Sequence, residues 1–179
     1  MRDMTLADCH RVSEIRVRGW QSAYRGLMPR TYLDALSVTR DAERRRARFQ
    51  EGDAGVVNLV AERGGRVVGW AAHGPYREGE LRTRDAELYA LYVDGEERST
   101  GVGRALLQEC VRQVGARGHA RMYLWVLRDN TPARRFYERA GFHADGTEEP
   151  FEVDGVQVPE VRYLGHLPLP PLTAAGGSA

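Results

Sequence analysis

A chain of 179 residues, 42% hydrophobic and 28% charged, is long enough for one domain with a real core and has the composition of an ordinary globular protein. A net charge of +1 excludes the basic excess that an obligate nucleic-acid partner demands, and no window approaches the apolar run of a membrane helix. Cys9 and Cys110 lack Cys-x-x-Cys or His-rich spacing, which excludes a zinc or redox motif, and with a charged N-terminus that has no apolar signal segment they fit a reduced, cytoplasmic protein.

In chain order, Arg2 to Met4 allows a brief first strand. Thr5 is placed to cap a helix with Asp8 in its first turn. Val12, Ile15, Gly19, Trp20, Tyr24 and Leu27 continue the helical spacing until Pro29 breaks it. A second helical region over Arg30 to Gln50 is interrupted near Ser37-Val38-Thr39, with Thr39 as a new cap, and ends at Gly52 and Gly55. Its run Arg44-Arg45-Arg46 with Arg48 reads as a solvated face pairing with Asp41 and Glu43 rather than as an RNA site. Val56 to Glu62 and Val67 to His73 flank Arg63-Gly64-Gly65-Arg66, a two-residue hairpin signal because both glycines accept positive φ. Gly74-Pro75 is expected to stop the second strand, leaving Tyr76 to Asp85 as a charged loop.

The stretch from Glu87 to Arg117 organises the rest. Glu87 to Val93 is apolar at nearly every position after the glutamate, the pattern of a central strand covered on both faces. Asp94 to Arg98 is a charged connection, and Val102, Leu106, Cys110 and Val114 then mark one buried helical face that Gly118 ends. Gly101 and Gly103 leave the first backbone N–H groups of this helix uncovered at the positive end of its dipole, a site suited to phosphate. Neither nucleotide motif fits: a Walker A loop needs a lysine, of which the chain has none, and a dinucleotide fingerprint needs Gly or Ala where Leu106 stands.

Met122 to Leu127 is another buried strand, parallel to Glu87–Val93 because a helix separates them. Thr131, with Pro132 behind it, caps a helix carrying Ala133, Phe136, Tyr137 and Ala140 on one face and ended by Gly141. A strand from Phe142 breaks around Gly146, and Asp154-Gly155 turns the chain back toward Val161–Leu164. The Pro-rich stretch 168–179 has nothing to bury and is expected to be disordered, leaving 1–167 as the single domain.

Arg98-Ser99-Thr100-Gly101-Val102-Gly103 resembles the Gln/Arg-x-x-Gly-x-Gly/Ala signature of the GCN5-related N-acetyltransferase (GNAT) superfamily. Asn130-Thr131-Pro132-Ala133-Arg134-Arg135-Phe136-Tyr137-Glu138-Arg139-Ala140-Gly141-Phe142 is similar to that family's Asn-x-x-Ala-x-x-Phe-Tyr-Glu-x-x-Gly-Phe segment, in the expected order after one helix and one strand. The resemblance runs from about Thr5 to Leu167. It implies an α/β single-domain fold: a mixed central sheet of six to seven strands flanked by helices, its two parallel central strands splayed at their C-terminal ends.

The resemblance implies acetyl-CoA as acyl donor, without a metal, and direct transfer in a ternary complex to a primary amine of a small molecule or a protein N-terminus. Pantetheine would lie in the split beside the backbone of Leu91, Tyr92 and Val93, and the pyrophosphate on Arg98, Ser99, Thr100, Gly101, Val102, Gly103 and Arg104. Asn130, Ala133, Arg134 and Tyr137 would complete the cofactor side. A departing thiolate needs a proton, and Tyr137, a phenol with pKa near ~10, matches the family's tyrosine; an amine near ~10 needs a base, for which Glu87 is the candidate, with His73, Glu80 or Tyr89 as relays ranked below it. Trp20, Tyr24, Arg25 and Tyr32 are candidates to line the acceptor side, although aromatics at helical spacing are more often core. A catalytically silent acyl-CoA-binding module is the competing reading, and homodimerisation is left open.

Overall fold

The computed structural model describes residues 1–52, 55–78 and 81–169. The described elements are β1 (Arg2–Asp3), α1 (Cys9–Ala23), α2 (Arg30–Ala35), α3 (Val38–Glu51), β2 (Val57–Arg63), β3 (Arg66–Glu78), β4 (Leu81–Val93), α4 (Val102–Ala116), β5 (Arg121–Leu127), α5 (Thr131–Arg139), β6 (His143–Val153) and β7 (Val156–His166). They form a seven-stranded sheet in the order β1-β2-β3-β4-β5-β7-β6, parallel between β4 and β5 and antiparallel elsewhere. No described helix is long and apolar enough to cross a membrane.

Two layers cover the sheet. On one face Val102, Leu106, Cys110 and Val114 of α4 pack on Leu88, Met122 and Leu124, joined at the margin by Phe136 and Tyr137 of α5. On the other, Cys9, Val12 and Ile15 of α1 pack on Val60, Trp70 and Ala72, and Trp20, Met28 and Leu33 meet Leu127 and Val158. The four-residue period read in α4 is therefore its buried face, and the alternation along the strands divides their side chains between the two layers.

Local chemistry explains the turns. Gly64 and Gly65 sit at φ 57 and 75, the backbone a two-residue hairpin requires between β2 and β3. The carboxylate of Asp8 accepts from the N–H and hydroxyl of Thr5 at 2.7 and 2.8 Å and ties down the entrance to α1. Two caps differ from the sequence expectation. Ser37, not Thr39, caps α3, accepting from Arg40 N at 3.4 Å; Asn130, not Thr131, caps α5, accepting from Ala133 N at 3.3 Å. In both cases the capping side chain belongs to the last residue before the helical backbone begins, where a short polar group reaches the first free N–H.

The larger correction concerns 74–85. Gly74-Pro75 does not stop β3, and much of the charged segment after it is strand. The register slips between Pro75 and Arg77, so a proline without an N–H is accommodated at an irregularity in the ladder. Tyr76 is buried against Tyr123, ring centroids 4.4 Å apart, and buried Asp85 pairs with Arg121 at 2.8 Å. These partners lie far away in sequence. The tail from 170 and Glu80 fall outside the described residues.

Candidate active site

The site originates in a defect of β4. Ala90 pairs with Ala72 of β3 and Leu88 with His73, so Tyr89 is one extra residue of β4 in the register against β3. A bulge of this kind reverses the side-chain phase and sharpens the local twist. Ala86 and Leu88 before it, and Leu91 and Val93 after it, all face the α4–α5 layer, whereas Ala90 and Tyr92 face α1. Beside the bulge β4 leaves β5: the parallel register covers Ala86, Glu87 and Leu88 against Met122, Tyr123 and Leu124, and ends there. From Leu91 to Val93 the β5 side of the β4 backbone is left without ladder partners, while its other side remains bonded to β3 as far as Gly69. An extended chain carrying amide groups suits that opening.

The loop into α4 closes one end of this split. Ser99 at φ 62 and Gly101 at φ 91 are both left-handed, and no side chain caps the helix at Gly101. Successive N–H groups in such a turn form an anion-binding concavity at the positive helix end. Asp94, held by Arg66 at 2.9 Å and by Arg11, pins the start of the loop; Thr100 donates to Glu97 O at 2.8 Å. The two glycines serve different ends. A Cβ on Gly101 would meet no atom within 4 Å, so it is φ that demands glycine there. A Cβ on Gly103 would lie 3.4 Å from Val93, 3.7 Å from Leu91 and 3.8 Å from Phe136, where β4, α4 and α5 converge. Its lack of a side chain thus keeps the split open rather than baring the outer loop surface.

Tyr137 stands on the α5 side of this convergence, between Phe136 and Phe142 with ring centroids 5.2 and 6.1 Å away. Its hydroxyl makes no hydrogen bond with another described residue, and burial, reinforced by Tyr92, pushes its pKa up, so the phenol stays protonated. Ala133 and Phe136 line the same side. Buried Asn130 uses its carbonyl as the α5 cap, and Val102 is buried so that its N–H is what faces the loop. Arg134 is occupied by Tyr163 Oη and Arg128 O, both at 2.9 Å, and so anchors α5 to β7. Exposed Arg98 donates to Ser22 at 3.1 Å, and Arg104 lies half-buried on the first turn of α4.

Across the sheet, on the α1 face, Trp20 Nε1 donates to Tyr92 Oη at 2.7 Å, and Tyr24 stands close to the same hydroxyl. Tyr92 thus offers the split only its backbone. Trp20, Tyr32 and Tyr92 line a cavity of about 780 Å³ between α1, α3 and the sheet. Tyr24 packs edge-on against Trp20 at 5.1 Å, while Arg25 is exposed in the turn between α1 and α2 and does not line the cavity.

Glu87, opposite Tyr123 on this face, is buried and lies 3.6 Å from the Arg77 guanidinium. Desolvation raises its pKa and Arg77 works against the rise. A second carboxylate, Glu160, escaped the sequence reading. It pairs across β7 with Leu127 at the end of β5 and with Glu149 of β6, and makes no ion pair with another described residue. Burial first, then Glu149 and Glu87, push its pKa from an ordinary 4.5 to about 7. His73 is fully buried on the α4 side, with Nε2 3.3 Å from Gln113 and a pKa lowered by desolvation, out of reach of this face. The Tyr89 hydroxyl donates to Pro75 O. Among the described residues no three His, Cys, Asp or Glu are grouped to hold a metal.

Because the native fold favours protonated Glu160, its contribution to stability is full below pH 4.5 and is lost as pH rises through about 7. Glu160→Gln cannot ionise, so its melting temperature should gain on the parent's between pH 5 and pH 8. An offset that is the same at both pH values would show that Glu160 is not held in this environment.

Comparisons with known proteins agree with this architecture. The Acetyltransferase (GNAT) family model matches residues 18–142. An uncharacterized N-acetyltransferase of Bacillus subtilis, YuaI, is 31% identical over 161 residues, 90% of this chain and 89% of that protein. Two crystal structures share the fold: the PaiA N-acetyltransferase of Thermoplasma acidophilum in complex with coenzyme A, at 20% identity and TM-score 0.72 over 92% of this chain and 96% of that one, and a ribosomal-protein-alanine N-acetyltransferase of Brucella melitensis, at 24% identity and TM-score 0.71 over 93% and 98%.

Proposed function

The chain belongs to the GNAT acetyltransferase family, and from that premise we propose that it acetylates a primary amine directly, in a ternary complex with acetyl-CoA, at the split between β4 and β5. The observation that carries this reading is the convergence of three independent features on one opening: the β4 bulge that frees its backbone, the left-handed Ser99–Gly101 turn, and Tyr137 across from both. The N–H groups of the first α4 turn would hold the pyrophosphate, with Arg98 and Arg104 beside them, and the freed backbone of Leu91 to Val93 would hold the pantetheine amides. Acetyl-CoA supplies an activated acetyl thioester when bound.

The residues divide the proton traffic. Glu160, with no ion pair to a described residue and a pKa raised to about 7 by burial and then by Glu149 and Glu87, takes the ammonium proton at neutral pH, with Glu87 beside Arg77 on the same face. Tyr137, protonated throughout that range, gives its proton to the departing sulfur. The acid limb of the kcat/KM profile then belongs to Glu160. The cysteines offer no acyl-carrying nucleophile: both are fully buried, and desolvation pushes Cys110 to about 12. A silent binding module would have no use for a carboxylate raised to about 7 on this face of the sheet.

Acetyl-CoA and CoA should each raise the melting temperature, by about 2.7 kcal/mol of stabilisation at a hundred times their dissociation constants, whereas NAD and ATP should not. No shift with either CoA species would overturn the reading.

A further inference from the structure

The cavity on the α1–α3 face carries a charge imbalance that acetyl-CoA does not use. Among the described residues lining it, Arg16, Arg44, Arg45, Arg48 and Arg77 stand against one carboxylate, Asp41. Asp41 is buried and already taken: Arg16 reaches it at 2.7 Å and Arg45 at 3.2 Å. These two arginines also lie flat on the cavity walls, Arg16 4.5 Å above the Trp20 ring and Arg45 4.1 Å above Trp70, so they are structural as well as charged. Arg77 has Glu87. Positive charge is left over at the outer end: Arg44 is 3.8 Å from Asp41 and largely exposed, and the Arg48 guanidinium makes no ion pair or hydrogen bond with another described residue.

Arg44 and Arg48 are one turn apart on α3 and both line the cavity. Like charges at that spacing destabilise an isolated helix, and Arg45 adds a third from the same turn. On a solvated face, as the sequence suggested, water and salt would absorb the cost. Arg45 is largely covered, whereas Arg44, Arg46 and Arg48 are exposed, and of these Arg44 and Arg48 also line the cavity. An oxyanion is what such a cluster lacks, and the planar guanidinium fork matches a carboxylate.

The two ends of the site have opposite charge. Glu87 and Glu160 lie beyond the cavity lining, on the same face of the sheet toward the split where an ammonium group would be received, and Arg44 and Arg48 line the cavity from the second half of α3. Between them the walls are aromatic: Trp20, Tyr32 and Tyr92, with Phe49 partly exposed at the rim. We infer that the acceptor is a primary amine that also bears a carboxylate, joined by an apolar or aromatic body, with its carboxylate bound at Arg44 and Arg48 and its amine directed to the split. This rests on the acetyltransferase reading above and adds the substrate class.

The test uses 4-(aminomethyl)benzoate against 4-(aminomethyl)benzamide, a pair in which the charge is removed far from the amine. CoA release should be at least about tenfold more efficient with the acid, the weight of a charge-assisted hydrogen bond. Arg48→Gln, which breaks no side-chain ion pair or hydrogen bond with a described residue, should remove most of that preference, and Arg46→Gln should leave it unchanged. Equal or better use of the amide, or a preference that survives Arg44→Gln/Arg48→Gln, overturns the inference while leaving acetyl transfer intact. Should neither amine release CoA, the products decide independently: with CoA bound, 4-(acetamidomethyl)benzoate should protect the protein against heating more than its amide does. Equal protection by the two also overturns the inference, whereas unequal protection without turnover would sustain the charge preference and count against acetyl transfer.

Discussion

Tyr137→Phe lowers single-turnover acetyl transfer by about 10²–10⁴-fold and leaves acetyl-CoA affinity close to the parent's, the range expected when a general acid is removed. The change deletes one hydroxyl. The ring keeps its contacts with Phe136 and Phe142, and because the hydroxyl bonds to no described residue, its loss leaves no orphaned partner. Stability should therefore hold. A single-turnover experiment reads the chemical step even if product release limits the steady state. Near-parental transfer by the phenylalanine variant would return Tyr137 to a packing role and require another proton source for the sulfur.

Gly101→Val abolishes the stabilisation that acetyl-CoA gives the parent. At φ 91 a β-branched residue is a severe outlier, and because no atom lies within 4 Å of its Cβ position, the cost is conformational and not steric. A left-handed residue costs about 1–2 kcal/mol, which the fold can absorb, but relief of that strain re-aims the N–H groups of the first α4 turn. The free variant should melt a few degrees lower than the parent and show no further shift with acetyl-CoA. A variant protected as well as the parent would place the phosphate site elsewhere.

How much of this was legible depended on whether each cause was local. The α4 face, the Gly64-Gly65 hairpin and the parallel relation of β4 and β5 follow from periodicity, turn chemistry and connection length, and all three appear as read. The bulge at Tyr89 was invisible because Leu88 to Val93 is apolar throughout, and such a run shows no alternation whose phase could be seen to break. Glu160 was missed because the last strand was read from Val161; its burial comes from β5 and β6, both remote from it in sequence. The arginine run keeps the solvated face read from the sequence at Arg44, Arg46 and Arg48, with Arg44 and Arg45 paired to Asp41; what α3 itself does not show is that Arg45 lies over Trp70 of β3 and that Arg44 and Arg48 line a cavity. Among the acceptor candidates, Trp20 and Tyr32 reach the cavity, whereas Arg25, beyond the end of α1, does not.

The most direct test of transfer at the β4–β5 split is the initial rate of CoA release with acetyl-CoA and 4-(aminomethyl)benzoate both varied. With Cys9 and Cys110 sealed in the core, both substrates must be present together, so double-reciprocal plots should intersect and CoA should appear only when the amine is present. Parallel lines, or a burst of CoA without amine, would mean that the acetyl group passes first to the protein and would contradict direct attack.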